Sequence, residues 1–69
     1  MRITFSDHAI KRLYDRDINE ETVKFVIENA DTIKESFDNR KVASKKMNGK
    51  TFTVVYVEKE KYIKIITLY

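Results

Sequence analysis

His8, Arg12 and Arg16 recur at intervals of four in the first third of the chain, a cluster of side chains suited to acid–base work on a phosphate. On a helix they fall within an arc of about 80°, beside the apolar positions Ala9 and Leu13. Histidine ordinarily titrates near neutrality, so His8 suits a general base or acid. Guanidinium groups grip anionic oxygens in pairs, which suits Arg12 and Arg16 to holding phosphate. A structural role competes with this chemical one. In it His8 caps or packs at the helix start, and the arginines pair with Asp15, Asp17 or Glu20 across a solvated surface.

A strand, a cap and two helices must position that stripe. Ile3 and Phe5 alternate with Arg2 and Thr4 as a short strand, after which Ser6 or Asp7 supplies an N-cap oxygen. The spacing predicts a helix over 7–16 that buries Ala9, Ile10 and Leu13. Asn19 begins a second cap, with Glu20 and Glu21 in the following turn. In that second helix Val23, Val26, Ile27 and Ala30 share about a third of the circumference, while Phe25 points outward.

From Thr32 the period becomes two, with Ile33, Glu35 and Phe37 against Lys34 and Ser36, until a polar break at Asp38-Asn39. Val42 to Met47 reads as a strand, and Asn48-Gly49 as a type I′ hairpin turn leading into a strand from Thr51 to Glu58. Phe52, Val54 and Tyr56 line one side of that strand and Val55 and Val57 the other, which predicts a central strand covered on both faces. The last strand, Tyr62 to Tyr69, sets Ile63, Ile65, Thr67 and Tyr69 against Lys64, Ile66 and Leu68. The expected class is α+β in the order β-α-α-β-β-β-β, with two N-terminal helices packed on one face of an antiparallel sheet. Residues 1–69 read as one domain.

Charge is segregated within this small chain of net charge +3. Residues 15–35 carry seven acids against three bases, whereas residues 39–51 carry five bases and no acid. Arg40, Lys45, Lys46 and Lys50 therefore read as an anion-binding hairpin, with Lys45 and Lys46 projecting to opposite faces. Edge protection is the competing role for such lysines. With one histidine and no cysteine there is no ligand set at metal-binding spacing, and no glycine-rich loop to cradle phosphate; neither a metal nor another cofactor is expected. No apolar run reaches the ~18 residues of a membrane span, so a cytoplasmic protein without membrane contact is expected. Abundant Lys, Glu and Ile with no Pro and one Gly suit a protein of high-temperature origin.

His8-Ala9-x-x-Arg12, Arg16-x-Ile18 before a Val23-centred helix, the Gly49 hairpin and the ending Ile66-Thr67-Leu68-Tyr69 together carry a family resemblance. The chain resembles a group of small prokaryotic proteins classed as a domain of unknown function, adjoining the BrnT toxins and, more remotely, the RelE/ParE toxin superfamily. The resemblance implies a RelE/ParE-like fold, a toxin-antitoxin setting and metal-independent endoribonuclease activity, with RNA as the partner, in some relatives on the ribosome. It also implies an antitoxin protein from an adjacent gene. The ParE branch acts without cutting RNA, so a non-catalytic RNA- or protein-binding module is the alternative. The larger members end in a C-terminal helix that this chain lacks after its last strand.

Self-cleavage of RNA by its 2′-hydroxyl needs a base, positive charge at the phosphorane and an acid for the leaving oxygen. The catalytic candidates are accordingly His8, Arg12, Arg16 and, from the matched ending, Tyr69. The RNA-binding candidates are Arg40, Lys45, Lys46, Lys50 and Thr67. Tyr56, Tyr62 and Tyr69 offer rings for base stacking, although tyrosines in small sheets usually belong to the core. The outward Phe25 motivates a homodimer.

Overall fold

The computed structural model describes residues 2–69. Strand β1 (Arg2–Phe5) leads into helices α1 (Asp7–Arg16) and α2 (Glu20–Glu28), followed by β2 (Thr32–Glu35), β3 (Arg40–Met47), β4 (Lys50–Glu58) and β5 (Tyr62–Leu68). Ser6 is the cap of α1: its Oγ accepts the Ala9 N–H at 3.0 Å and donates to the Ile66 carbonyl at 2.8 Å, tying the helix start to the last strand. Asp17 closes α1 in the left-handed region, with φ 53°. Asn19 caps α2 by accepting the Thr22 N–H at 2.8 Å.

The five strands form one sheet in the order β1-β5-β4-β3-β2. Chain direction makes it mixed. Consecutive reversals carry β2 to β5 as an antiparallel meander, and β5 then arrives beside β1 running the same way, so that edge pair is parallel. Two reversals use paired left-handed residues. Asn48 and Gly49, at φ 52° and 79°, make the expected β3–β4 turn, and Asp38 and Asn39, at 59° and 60°, do the same between β2 and β3.

Both helices lie on one face of this sheet. Ala9 and Leu13 of α1 and Val23 and Val26 of α2 pack on Ala43, Val54, Tyr56, Ile63, Ile65 and Leu68. Each fully buried aliphatic side chain contributes about 1.5–3 kcal/mol, so this thin core tolerates few losses. Ile10, expected to be buried, is 42% exposed. Only a narrow stripe of α1 meets the sheet, and Ile10 lies beyond it on the far side of Leu13. Phe25 is half-exposed on the outer side of α2, as its spacing indicated.

A bulge corrects the alternation read for β5. Val55 pairs with Thr67 but Tyr56 pairs with Ile65, leaving Ile66 as an extra residue. Ile63 and Ile65 face the helices before it and Leu68 after it, so Leu68 replaces Thr67 in the core and Thr67 moves to the opposite face. β4 is central, yet it is covered on one side alone. Val54 and Tyr56 are buried, whereas Val55 and Val57 are half-buried on the sheet face that no helix covers.

Candidate functional site

The uncovered sheet face can be built from register. Ala43, Val54 and Tyr56 face the helices, so their strand neighbours Val42 and Ser44, Thr53, Val55 and Val57 face away. Pairing extends this face to Thr32 and Lys34 on β2, Arg40 and Lys46 on β3, Thr51 on β4, Tyr62, Lys64 and Thr67 on β5, and Arg2 and Thr4 on β1. Its centre is Val42, Val55 and Val57. Around them stand hydroxyls, including the Ser44 and Thr53 oxygens 3.4 Å apart, and five cations: Arg2, Lys34, Arg40, Lys46 and Lys64. Among the described residues no Asp or Glu belongs to this face.

The expected RNA-binding set divides across the sheet. Arg40, Lys46 and Thr67 share the open face, while Lys45 and Lys50 occupy register positions on the helix-covered side. Lys45 is engaged there, donating to Asp31 Oδ1 at 3.1 Å, and the Lys46 N–H donates to Oδ2 of the same carboxylate at 2.9 Å. These bonds, the Lys46 backbone N–H foremost and the Lys45 ammonium next, hold Asp31 below its ordinary pKa. On the same side Lys41 meets Glu58 at 2.8 Å, and that hydrogen bond and its charge raise the Lys41 pKa. Arg40 sits with its guanidinium carbon 5.6 Å from the centre of the Phe37 ring, a cation–π distance. Arg2, Lys34 and Lys64 were missed as members. The two-residue period gives each residue's phase within its own strand, and only the strand pairings put Arg2, Lys34 and Lys64 on one face with Arg40 and Lys46.

The His8 stripe borders the face at its β5 edge. β1 pairs with β5 only as far as Ile65, so the later β5 carbonyls lack a strand partner on that side. Ser6 and Arg12 supply donors instead: the Ser6 N–H bonds Ile65 O at 3.0 Å, its hydroxyl bonds Ile66 O, and Arg12 Nε bonds Leu68 O at 3.1 Å. Arg12 is thus half-buried and anchored to the Leu68 carbonyl, one residue after Thr67 in β5, while His8 and Arg16 are exposed on α1. None of the described residues hydrogen-bonds the His8 ring. Tyr69 follows β5 with its backbone exchanging two hydrogen bonds with Thr53, at 2.7 and 2.8 Å, and with its side chain 48% exposed. Tyr56 is a core residue whose burial, with the nearby Glu58 charge, raises its pKa. Tyr62 lies on the open face opposite Arg2.

Residues 5–69 match the family described as a domain of unknown function, DUF4258. The chain belongs to that family. The match takes in α1 with its stripe, the β3–β4 hairpin and all of β5, so the open face and its bordering edge fall almost wholly inside the family domain. No curated protein and no solved structure matches the chain significantly. Among the described residues no helix is long and apolar enough to cross a membrane, and no group of three or more His, Cys, Asp or Glu is arranged to hold a metal ion.

Proposed function

We propose that this domain binds single-stranded RNA across its open sheet face. One observation carries the reading: five cations surround a valine and hydroxyl surface that contains no described acid. Phosphates track cations without sequence preference. A flat sheet also gives unstacked bases a surface to lie on, with the Tyr62 ring at its border. Like charge opposes packing two such faces on each other, which favours a polyanion over a second copy there. Direct titration with oligouridine tests it. Lys46→Glu with Lys64→Glu abolishes binding if the reading is right, and undiminished affinity in that variant overturns it.

RNA cleavage is a second reading, favoured by the anchored Arg12 at the border between the face and α1. An RNA strand leaving the face at Thr67 meets Arg12 there, with His8 one helical turn earlier on α1. In this toxin-like endoribonuclease the 2′-hydroxyl attacks the adjacent phosphorus while His8 takes its proton, Arg12 and Arg16 neutralise the phosphorane, and the P–O5′ bond breaks as water protonates the departing 5′-oxygen, leaving a 2′,3′-cyclic phosphate. His8→Ala then retains RNA affinity and loses product formation; equal cleavage by that variant removes His8 from the chemistry. In the toxin-antitoxin setting of the resembling families, an antitoxin would silence the protein by covering this face.

A further inference from the structure

The helical side of the molecule carries a surface of opposite character. Ile10 and Tyr14 stand one turn apart on the flank of α1 away from Arg12, 42% and 83% exposed, and the core makes little use of either. With Leu13, Ile18 and Asn19 they line an open groove of about 480 Å³ along the C-terminal half of α1 and the turn into α2, whose charged lining residues are Asp17 and Glu20. Glu20 also borders an adjoining depression of about 160 Å³ formed with Ile3, Phe5, Glu21 and Lys24. Neither Asp17 nor Glu20 belongs to an ion pair among the described residues.

We infer that this groove is a docking site for a basic amphipathic helix of a partner protein. Charge complementarity selects the occupant, because unpaired carboxylates rim an apolar floor and reject an acidic segment. The α1 flank is helical, with its backbone bonded internally and no free strand edge, so recognition proceeds by side-chain interdigitation as in helix-in-groove complexes rather than by strand addition. Tyr14 is the anchor: a large, rigid amphipathic ring that the fold leaves in solvent. The site is independent of the sheet face, so its occupation leaves RNA affinity unchanged.

The test titrates the full chain with two short helical peptides, one of leucine and lysine and its counterpart with glutamate in place of lysine, followed by calorimetry. The lysine peptide binds one-to-one and the glutamate peptide does not. Tyr14→Ser weakens the complex about tenfold or more, as loss of an anchor does. Asp17→Lys with Glu20→Lys reverses the preference in favour of the glutamate peptide. All three side chains are exposed, and because the lysine at position 17 must take on the left-handed backbone that closes α1, unfolding curves verify that the variants stay folded. Equal binding of the lysine peptide by wild type and variants would reduce the effect to diffuse charge and overturn the proposal. Concentration-dependent doubling of mass in sedimentation, removed by Tyr14→Ser, would also overturn it by giving the groove to a second copy of this chain.

Discussion

Replacing Lys46 and Lys64 by glutamine removes two of the five open-face cations and leaves every core contact intact, since both side chains are exposed. For single-stranded nucleic acid each neutralised phosphate adds about 0.7 to the slope of log affinity against log salt, so five contacts give about −3.5 and three give about −2.1. Between about 50 and 200 mM salt the wild-type protein then loses affinity about 130-fold, and the double variant about 20-fold. Fluorescence anisotropy of a labelled oligouridine measures both slopes. Thermal unfolding checks that the variant differs by no more than about 0.5 kcal/mol, as exposed substitutions do. If the double variant keeps the wild-type slope, the cations of this face are not the phosphate contacts and the reasoning from register to RNA fails. Lys45→Gln is the matched control: its ammonium is on the other side with Asp31, so it leaves the slope close to wild type.

Three further outcomes follow from particular contacts. Ser6→Ala removes both the cap of α1 and the bond to the Ile66 carbonyl, and urea unfolding should register a loss of about 2 kcal/mol. Arg12→Ala frees the Leu68 carbonyl at the β5 edge and costs about 1–2 kcal/mol after allowing for its partial exposure; a smaller loss means that Arg12 is not needed to cover that edge. Stability also falls at both pH extremes. The lowered pKa of Asp31 makes its contribution present above the ordinary carboxylate value and lost as pH drops through the depressed one, so Asp31→Asn flattens the acid limb of the urea midpoint. The raised pKa of Lys41 gives a contribution present below the ordinary lysine value and lost as pH climbs through the elevated one, so Lys41→Met flattens the alkaline limb.

Local signals gave the elements, and long-range pairing decided what they display. Ser6, Asn19 and Asn48-Gly49 are cap and turn residues whose backbone roles follow from side-chain chemistry, and all three act as their types suggest. Asp38-Asn39 was legible only as a break, although Asp and Asn tolerate the left-handed pair that it forms. Strand order was beyond local pattern, because the parallel β1–β5 pair joins residues about sixty positions apart in sequence. The bulge at Ile66 was equally hidden. It re-phases β5 so that Leu68 rather than Thr67 is buried, a choice that competition for the core makes and that strict alternation misassigns. The candidate site moved for the same reason. Lys45 and Lys46 divide between two faces as alternation indicates, but which face stays open, and that Arg2, Lys34 and Lys64 join Arg40 and Lys46 on it, follows only once four strand pairings are known. The His8, Arg12 and Arg16 stripe kept its place on α1, but Arg12 acquired a structural duty at Leu68 that spacing alone did not reveal.

Amide chemical-shift mapping during titration with oligouridine tests the central claim most directly. The account predicts saturable shifts concentrated on the open face, at Lys34, Arg40, Lys46, Val55, Lys64 and Thr67, with the α1–α2 groove at Ile10 and Glu20 unmoved. Shifts confined to the helices, or none at oligonucleotide excess in low salt, would contradict it.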